Sequence, residues 1–242
     1  MKAYTDRTYR KRVTAAGLAS FQVVFKETDL WVSAGEALVD ETRDLILNAR
    51  HQLESYIRSH SEFLTTLRPY PDDPTAPPVV QDMIEAAKRS GVGPMASVAG
   101  AIAEFVGRGL LRSTDQVIVE NGGDVFLTAK RDVTVSVFAG DSPLSERIGL
   151  LVSTRRMPAG LCSSSGTVGH SFSTGIADAV CVLSGSAALS DAAATALCNT
   201  IRGKRDLGRI DGRASRIQGV QGCLVILGRH MAAWGDIELV EV

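Results

Sequence analysis

A short polar turn between two β-rich runs constrains the fold of this chain more than any other feature. Residues 116–120 and 125–128 are rich in β-branched side chains, and Asn121-Gly122-Gly123-Asp124 separates them. Asn-Gly between two such runs is among the strongest signals for a β-hairpin, because both turn positions need a positive φ. The sequence therefore predicts an antiparallel pair of strands here.

Other apolar runs extend the predicted sheet. Residues 21–25 and 30–33 flank a polar tetrad and predict a second hairpin near the N-terminus. Further strand-like runs follow the first hairpin, at residues 133–139, 148–154, 177–183, 222–227 and 237–242.

Helical patterns separate these groups of strands. Residues 36–67 carry apolar side chains close to a 3.6-residue period, with an expected break near 59–61. Amphipathic helices are predicted over 79–89 and 94–111, and an alanine-rich helix over 192–201. Strand series beside packed helices, without regular βαβ alternation, predict an α+β fold with antiparallel or mixed sheets.

The proline-rich segment 68–78 interrupts this pattern, since it holds five of the eight prolines. Proline fixes φ and lacks a backbone N–H, so this segment cannot join a helix or a sheet. We expect a plain connector between an N-terminal hairpin-and-helix part and the remainder of one domain spanning residues 1–242. The alternative is a loop that closes over a site.

The composition argues against several classes of partner. A net charge of -1 disfavours broad electrostatic binding to nucleic acid or to an anionic membrane, and aromatic residues are only 5%. No apolar run of about 18 residues predicts a membrane-spanning helix. The basic N-terminus is not followed by an apolar segment, so we expect no signal peptide and a cytoplasmic location. The sequence leaves homo-oligomerisation open.

The sequence Ser190-Asp191-x-x-x-Thr195 is the first candidate site. If Asp191 lies in the first turn of a helix, Thr195 lies on the same face one turn later. A carboxylate and a hydroxyl that converge suit Mg²⁺, which completes its shell with water and substrate phosphates. The adjacent helix N-terminus would favour the same phosphates. The alternative is a helix cap, Ser190 or Asp191, followed by an ordinary threonine.

Two loops are candidates for binding a nucleotide. In the turn at 121–124, Gly122 and Gly123 would expose N–H groups to an anion or a flat ring, although a hairpin alone also explains them. The Ser/Gly/Thr loop at 163–167 offers hydroxyl and N–H donors to phosphate. His170 follows this loop as a candidate general acid or base, with a hydrogen-bonded structural histidine as the alternative.

Arginine and cysteine positions leave two further interpretations open. Residues 202–216 carry six basic side chains, which favour a solvated surface loop or, as the sharper alternative, a pyrophosphate clamp. Cys181 and Cys223 lie in apolar runs and are expected in the core. Cys162 is expected in the polar loop, where a reactive thiol is the alternative to a structural one.

Taken in order, these motifs resemble the ApbE superfamily, whose best-known members are Mg²⁺-dependent FAD:protein FMN transferases. The resemblance covers roughly residues 93–198: a small-residue helix precedes the NGGD turn, a Ser-Ser-Gly loop precedes a histidine, and an apolar strand leads to SDAAATAL. It implies an ApbE-like fold, a flavin nucleotide site and a Mg²⁺ site. The matching residues are Gly122, Gly123, Asp124, Ser164, Ser165, Gly166 and Thr167 for the nucleotide, Asp191 and Thr195 for the metal, and His170 for catalysis.

The chain departs from that family at two places. After His170 it reads SFSTGIAD, so the Asp-Pro pair of the family's H-I-x-D-P-x-x-G segment is missing and Ser173 is its nearest substitute. The family's K-G-Y/F is also absent from residues 94–111. In these respects the chain resembles the uncharacterised, cytoplasmic branch of the superfamily.

The resemblance implies a nucleotide-binding protein with a divalent-metal site that transfers FMN from FAD to a hydroxyl of an acceptor protein. The alternative is a non-catalytic binding or accessory protein of the same fold, acting in sulfur or cofactor metabolism, with Cys162 as a candidate participant.

Overall fold

The computed structural model describes residues 17–167 and 173–242, whose strands form two antiparallel sheets. The strands are β1 (Ala19–Phe25), β2 (Thr28–Ala34), β3 (Val117–Asn121), β4 (Asp124–Thr128), β5 (Val133–Ser136), β6 (Ile148–Val152), β7 (Ala159–Ser164), β8 (Ala179–Ser184), β9 (Val220–Leu227), β10 (His230–Gly235) and β11 (Glu238–Glu241). The larger sheet has the order β1-β2-β3-β4-β7-β8-β9-β10, and the smaller has the order β11-β6-β5.

The helices between these strands are few and mostly short. They are α1 (Val39–Ser59), α2 (Glu62–Thr65), α3 (Pro78–Ser90), α4 (Val98–Leu110), α5 (Ala187–Cys198) and α6 (Ile210–Ala214). Short 3-10 turns at Pro94–Ser97 and Lys204–Arg209 lead into α4 and α6. The predicted α+β class with antiparallel sheets and packed helices is confirmed.

The large sheet lies between the helices and the small sheet, and residues of β4 alternate between the two sides. Val125 and Leu127 belong to the core that contains residues of the small sheet, whereas Phe126 packs with residues of α4 and the start of α5. Because alternate residues of a strand share a face, Asp124 lies on the helix side with Phe126. The layers therefore place one acidic residue at the buried sheet–helix boundary.

The hairpin predicted at residues 116–128 is confirmed, and its turn consists of two glycines. Asn121 of β3 pairs with Asp124 of β4, and Gly122 and Gly123 have φ values of 67° and 107°. A side chain at either position would be strained, because L-residues rarely adopt such angles. The glycines are thus explained by the backbone of the turn.

The helical pattern over residues 36–67 divides where the sequence predicts. α1 ends at Ser59, and α2 begins at Glu62, although Ser61 makes no side-chain capping bond. The proline-rich segment that follows is held by hydrogen bonds to both neighbouring helices. Tyr56 donates its hydroxyl to Asp73 at 2.8 Å, and Gln81 donates to the carbonyl of Ala76 at 2.7 Å.

The predicted start of α5 is wrong by five residues. The helix begins at Ala187, after Ser186, whose hydroxyl accepts a hydrogen bond from the amide of Leu189. Ser190 and Asp191 are therefore inside the helix and cap nothing at its own N-terminus. Ser190 instead donates to the carbonyl of Gly160 in β7 at 2.9 Å, which fastens the helix to the sheet.

Two other segments also differ from expectation. Residues 204–214 form helical turns, because Leu207, Ile210 and Ala214 recur at helical spacing and are buried. β10 pairs with β9 at the edge of the large sheet and has no counterpart among the predicted strands. Within the residues described, no helix combines the length and apolarity needed to cross a membrane.

Candidate functional site

The helices α4 and α5 approach each other closely at Gly100. A Cβ atom on this residue would lie 2.3 Å from the carbonyl oxygen of Ala187 and 2.8 Å from Cβ of Asp191. Only glycine fits this contact without displacing one of the helices. The missing side chain brings the Gly100 amide to Asp191, and it donates a 2.9 Å hydrogen bond to Oδ2.

Asp191 therefore caps a helix other than its own. Gly100 is the third residue of α4, and Ser97, at the N-cap position of that helix, makes no side-chain capping bond. The first amides of a helix have no intrahelical partner and carry partial positive charge, so a carboxylate there is stabilised. The expectation that Asp191 lies in the first turn of its own helix is wrong; it serves the first turn of α4.

Asp124 is a second buried carboxylate on the same side of the sheet. Its Oδ1 accepts a hydrogen bond of 3.2 Å from the amide of Ser163 in β7. Burial raises the pKa of Asp124 well above its ordinary value, and the negative charge of Asp191 raises it further. Burial also raises the pKa of Asp191 to about 7, although the amides of Gly100 and Ala99 act in the opposite direction.

These two carboxylates repel each other when both are ionised, since water does not screen them. A cation placed between them would remove that repulsion. The pair is thus an electrostatically unfavourable arrangement that a bound positive charge would stabilise.

Cys162 lies in strand β7 rather than in a polar loop, so that prediction is wrong. Its side chain is fully buried and donates a hydrogen bond of 3.2 Å from Sγ to the carbonyl of Ala187. Burial raises the pKa of the thiol far above its ordinary value, and Asp124 and Asp191 add to the shift. Because reactive cysteines are thiolates in exposed, electropositive settings, this thiol is a structural one.

Two buried hydroxyl groups belong to the elements that flank this region, α5 and β7. Thr195 is buried one helical turn after Asp191 on α5. Ser164 is two residues after Cys162 on β7 and so shares its helix-facing side. The Ser164 Oγ is buried and makes no hydrogen bond to an oxygen or nitrogen atom within the part of the chain that the structure describes, although it lies beside the thiol of Cys198. A thiol is a weak hydrogen-bond partner, so a ligand oxygen or nitrogen would satisfy this buried hydroxyl better.

The residues that follow Ser164 are bound to their own chain. Ser165 accepts a hydrogen bond from the amide of Thr167, and the amide of Gly166 donates to the carbonyl of Ala177 at 2.9 Å. The hydroxyl of Thr167 donates to Asp178 at 3.2 Å. The turn at residues 165–167 is thus stabilised by hydrogen bonds within the chain. Of the predicted loop, only Ser164 lies on the helix-facing side of β7.

The NGGD turn approaches the site through its first and last residues. The Asn121 side chain donates to the carbonyl of Ala99 at 3.0 Å, which ties the hairpin to the first turn of α4. The amide of Gly123 donates to Oε1 of Glu120 at 2.8 Å, so this N–H already has a partner within the protein. The turn therefore orients Asp124 and α4 relative to each other.

His170 lies outside the described residues, as do Val168, Gly169, Ser171 and Phe172. Ser173, the nearest substitute for the missing Asp-Pro pair, donates its hydroxyl to Oδ1 of Asn199 at 3.2 Å. The Asn199 side chain also accepts a 2.8 Å hydrogen bond from the amide of Thr174. This side of the segment is thereby fastened to the C-terminal end of α5.

Two of the arginines in the basic segment have structural roles. Arg213 donates to the carbonyl of Thr200 at 3.0 Å and forms an ion pair with Asp206 at 3.1 Å. The guanidinium of Arg202 donates to the carbonyl and hydroxyl of Thr174. These contacts hold the end of α5, and a pyrophosphate clamp stays a prediction for the exposed basic residues.

The donor set fits a hard cation better than a soft one. Asp124, Asp191 and Thr195 offer oxygen atoms, which Mg²⁺ and Ca²⁺ prefer. No group of three His, Cys, Asp or Glu side chains in residues 17–167 and 173–242 is arranged to hold a metal. A cation here would complete its shell with hydroxyls, backbone carbonyls, water or substrate phosphates, as Mg²⁺ commonly does.

Sequence reasoning missed Glu104 of α4, which contacts α5. The small residues of this helix, Gly100 among them, predict a close approach, but not the bond to Asp191. Glu104 is the single acidic residue in a helix otherwise made of apolar and small residues apart from Arg108. An isolated carboxylate in such a helix indicates a buried, paired charge. That pattern could have identified Glu104, whereas nothing local marks Gly100 among its small neighbours.

Solved structures share this fold. The flavin transferase ApbE from Vibrio cholerae superposes with a TM-score of 0.54, at 11% identity, over 93% of this chain and 96% of its own. The flavinyl transferase ApbE of Pseudomonas stutzeri, in its apo form, gives a TM-score of 0.57 at 12% identity, over 90% and 94%. At such low identity the likeness establishes the fold alone, and that fold is ApbE-like.

Closer relatives define the family. The family model described as AbpE bacteria matches residues 10–218. UPF0280 protein MJ1526 of Methanocaldococcus jannaschii is 38% identical over 227 residues, covering 91% of this chain and 92% of its own. The UPF0280 protein of Methanospirillum hungatei JF-1 is 39% identical over 216 residues, covering 88% and 86%. The chain belongs to this AbpE bacteria family and is a member of the ApbE-like superfamily.

Proposed function

We propose that the protein binds a divalent cation and a flavin nucleotide on the face formed by Asp124, Ser164, Asp191 and Thr195, and transfers FMN from FAD to a protein hydroxyl. The observation that carries the proposal is the pair of buried carboxylates with raised pKa values. Such a pair is costly in its doubly ionised form unless a proton or a cation joins it, and clustered pKa perturbations are typical of functional sites.

Different residues are proposed to bind the cation and the nucleotide. Asp124 and Asp191 would hold the cation with Thr195, and Ser164 would donate its buried hydroxyl to the nucleotide. When bound, Mg²⁺ neutralises negative charge on a diphosphate. The fold supports the flavin assignment, because the two superposed ApbE proteins are named flavin or flavinyl transferases.

The proposed transfer balances as a phosphoryl substitution. The acceptor hydroxyl oxygen forms a bond to the FMN phosphorus, the diphosphate P–O bond breaks, AMP leaves, and the hydroxyl proton is released. His170 stays the candidate base for that proton. The proposed setting is the cytoplasm, which suits the four free cysteines of the chain.

The direct test is incubation of the purified protein with FAD, Mg²⁺ and hydroxyl-bearing acceptor peptides. Flavin fluorescence reports binding, and chromatography reports AMP release and flavin-labelled peptide. The proposal expects Mg²⁺-dependent FAD binding and AMP formed in equal amount to labelled peptide. Absence of both FAD binding and AMP release would remove it.

A second candidate function is binding without catalysis, as an accessory protein of sulfur or cofactor metabolism. Asp191 favours it, since the carboxylate already has the structural task of capping α4. The missing Asp-Pro and K-G pairs agree with it. This alternative expects ligand binding and cellular function to be independent of Mg²⁺ and to persist in a folded Asp191→Ala variant; complete loss of both would exclude it.

A further inference from the structure

Glu104 is a buried carboxylate outside the proposed ligand set. It is 1% exposed and accepts hydrogen bonds from the hydroxyl of Ser186 at 2.8 Å and from the amide of Ala188 at 3.2 Å. Arg108, one helical turn later, forms an ion pair with it. A buried charge is tolerated only when it is paired and hydrogen-bonded, and here three donors meet that need.

These donors belong to the N-terminus of α5. Ser186 is its N-cap residue, and the Ala188 amide is among those that no intrahelical carbonyl satisfies. Glu104 therefore binds the N-terminus of α5, where the sequence predicts a phosphate. The positive end of the helix dipole adds to the attraction.

Glu104 and Asp191 act on the same pair of helices in opposite directions. Glu104 of α4 caps the start of α5, while Asp191 of α5 caps the start of α4. Gly100 and Glu104 are four residues apart and so lie on one face of α4. Two carboxylates thus join the helices at points one turn apart.

Besides these two caps, the hydrogen bond from Ser190 to Gly160 holds α5 to the large sheet, while the direct contact with α4 is made largely of small residues. Gly100 meets Ala187 directly, and the residues of α5 that pack in the same core cluster as α4 are mainly alanines. Smooth alanine and glycine surfaces lack the interlocking side chains that resist sliding. A shift of α5 by one residue, about 1.5 Å, would separate Asp191 from the Gly100 amide.

We propose that Glu104 is a positioning residue for the Asp191 site. By fixing the N-terminus of α5 against α4, it sets where the Asp191 carboxylate stands relative to the Gly100 amide and to Asp124. The effect on cation binding rests on the proposed function, whereas the effect on the Gly100–Asp191 hydrogen bond does not.

The test uses the full chain with three variants. Glu104→Met removes both capping bonds, and Glu104→Gln keeps acceptor atoms without the charge. Ser186→Ala removes the hydroxyl contact with Glu104 together with the Ser186 cap on the Leu189 amide, and keeps the bond from the Ala188 amide. Leu150→Ala is the matched control, because it removes a buried side chain from β6 on the far side of the large sheet. Thermal unfolding places all four on a common scale of stability.

Two measurements report on position rather than on stability. Hydrogen exchange of the Gly100 amide is expected to accelerate by about fivefold to tenfold in Glu104→Met beyond the change in Leu150→Ala. Mn²⁺ affinity, measured by electron paramagnetic resonance without nucleotide, is expected to fall by about tenfold or more, as for other residues that orient metal ligands. Ser186→Ala is expected to change the Gly100 exchange rate and the Mn²⁺ affinity in the same directions, but by less. The effects of Glu104→Gln are expected to be intermediate between those of Ser186→Ala and Glu104→Met.

The inference is overturned if Gly100 exchange in Ser186→Ala and both Glu104 variants changes no more than in Leu150→Ala. Should Glu104→Met fail to fold, Ser186→Ala and Glu104→Gln decide the same question. If the wild-type protein binds no Mn²⁺, the proposed function fails, while Gly100 exchange still judges the role of Glu104.

Discussion

The amide of Gly100 donates a hydrogen bond of 2.9 Å to Oδ2 of Asp191, a residue 91 positions later in the chain. This contact explains why a glycine is needed at position 100 and what the carboxylate of Asp191 does in the fold. The glycine allows α5 to approach α4, and the carboxylate satisfies an N-terminal amide of α4 that its own N-cap leaves without a side-chain partner. Asp191 is therefore both a structural cap and the proposed cation ligand.

Gly100→Ala is expected to destabilise the protein, because the new Cβ would lie 2.3 Å from the Ala187 carbonyl oxygen. Overpacking of this kind costs about 1–3 kcal/mol. Gly212→Ala is the matched control, since a Cβ there meets nothing within 4 Å and the residue lies in α6. Urea unfolding should show a loss for Gly100→Ala and little change or a gain for Gly212→Ala; equal behaviour would contradict the tight contact.

Stability without divalent cation is expected to fall as the pH rises from about 5 to 8. Burial raises the pKa of Asp191 from 3.8 to about 7 in the folded protein, and that of Asp124 is also raised. The folded state therefore binds these protons more tightly than the unfolded state, so their stabilisation is lost as the pH passes through the folded pKa. Thermal unfolding in the presence of a chelator measures the slope.

Two variants test whether the fall in stability with pH comes from Asp124 and Asp191. Asp124→Asn should flatten the slope in part, because it removes the titration of Asp124, whose pKa is raised by burial and by the charge of Asp191, while burial still raises the pKa of Asp191. Asp206→Asn should leave the slope unchanged, since hydrogen bonding by the Arg202 amide and by Arg213 lowers the pKa of Asp206. A slope that is the same in all three proteins would show that the carboxylates do not share a buried environment.

The cysteines are expected to resist alkylation in the folded protein. All four are buried, and burial raises the pKa of Cys162 and of the other three thiols. Labelling with iodoacetamide at pH 8 should follow the rate of unfolding and become fast in guanidinium. Rapid modification of Cys162 in the native protein, identified by peptide mass spectrometry, would restore the reactive-thiol alternative.

The sequence predicts those parts of the fold that local chemistry determines. The glycines at 122 and 123 identify the hairpin because few other residues adopt their φ angles. The division between α1 and α2 follows from the interrupted apolar period. By contrast, α5 is buried on nearly all sides, so no amphipathic pattern marks where it begins. Ser186 and Ser190 are equally good caps by residue type, and only the tertiary structure distinguishes them.

The same contrast between local patterns and tertiary contacts applies to the candidate site. The family resemblance implies Asp124, Ser164, Asp191 and Thr195. The structure buries all four and places Asp191 within electrostatic reach of Asp124, while their roles stay predictions. The capping of α4 by Asp191 and of α5 by Glu104 depends on contacts between distant segments, which no local pattern contains. The helical turns at residues 204–214 could have been predicted from local spacing. The buried residues Leu207, Ile210 and Ala214 recur at helical intervals, although arginines surround them.

The central claim is that the buried carboxylates bind a divalent cation together with a flavin nucleotide, and Asp124 tests it most directly because Asp191 also caps α4. The decisive measurement is the affinity for FAD, by fluorescence titration with Mg²⁺ or with chelator, in the wild-type and Asp124→Asn proteins. The account predicts Mg²⁺-dependent binding in the wild type, weakened by about tenfold or more in Asp124→Asn, while the stability of the cation-free variant is equal or higher. FAD affinity that is unchanged by chelator and by the substitution would contradict it.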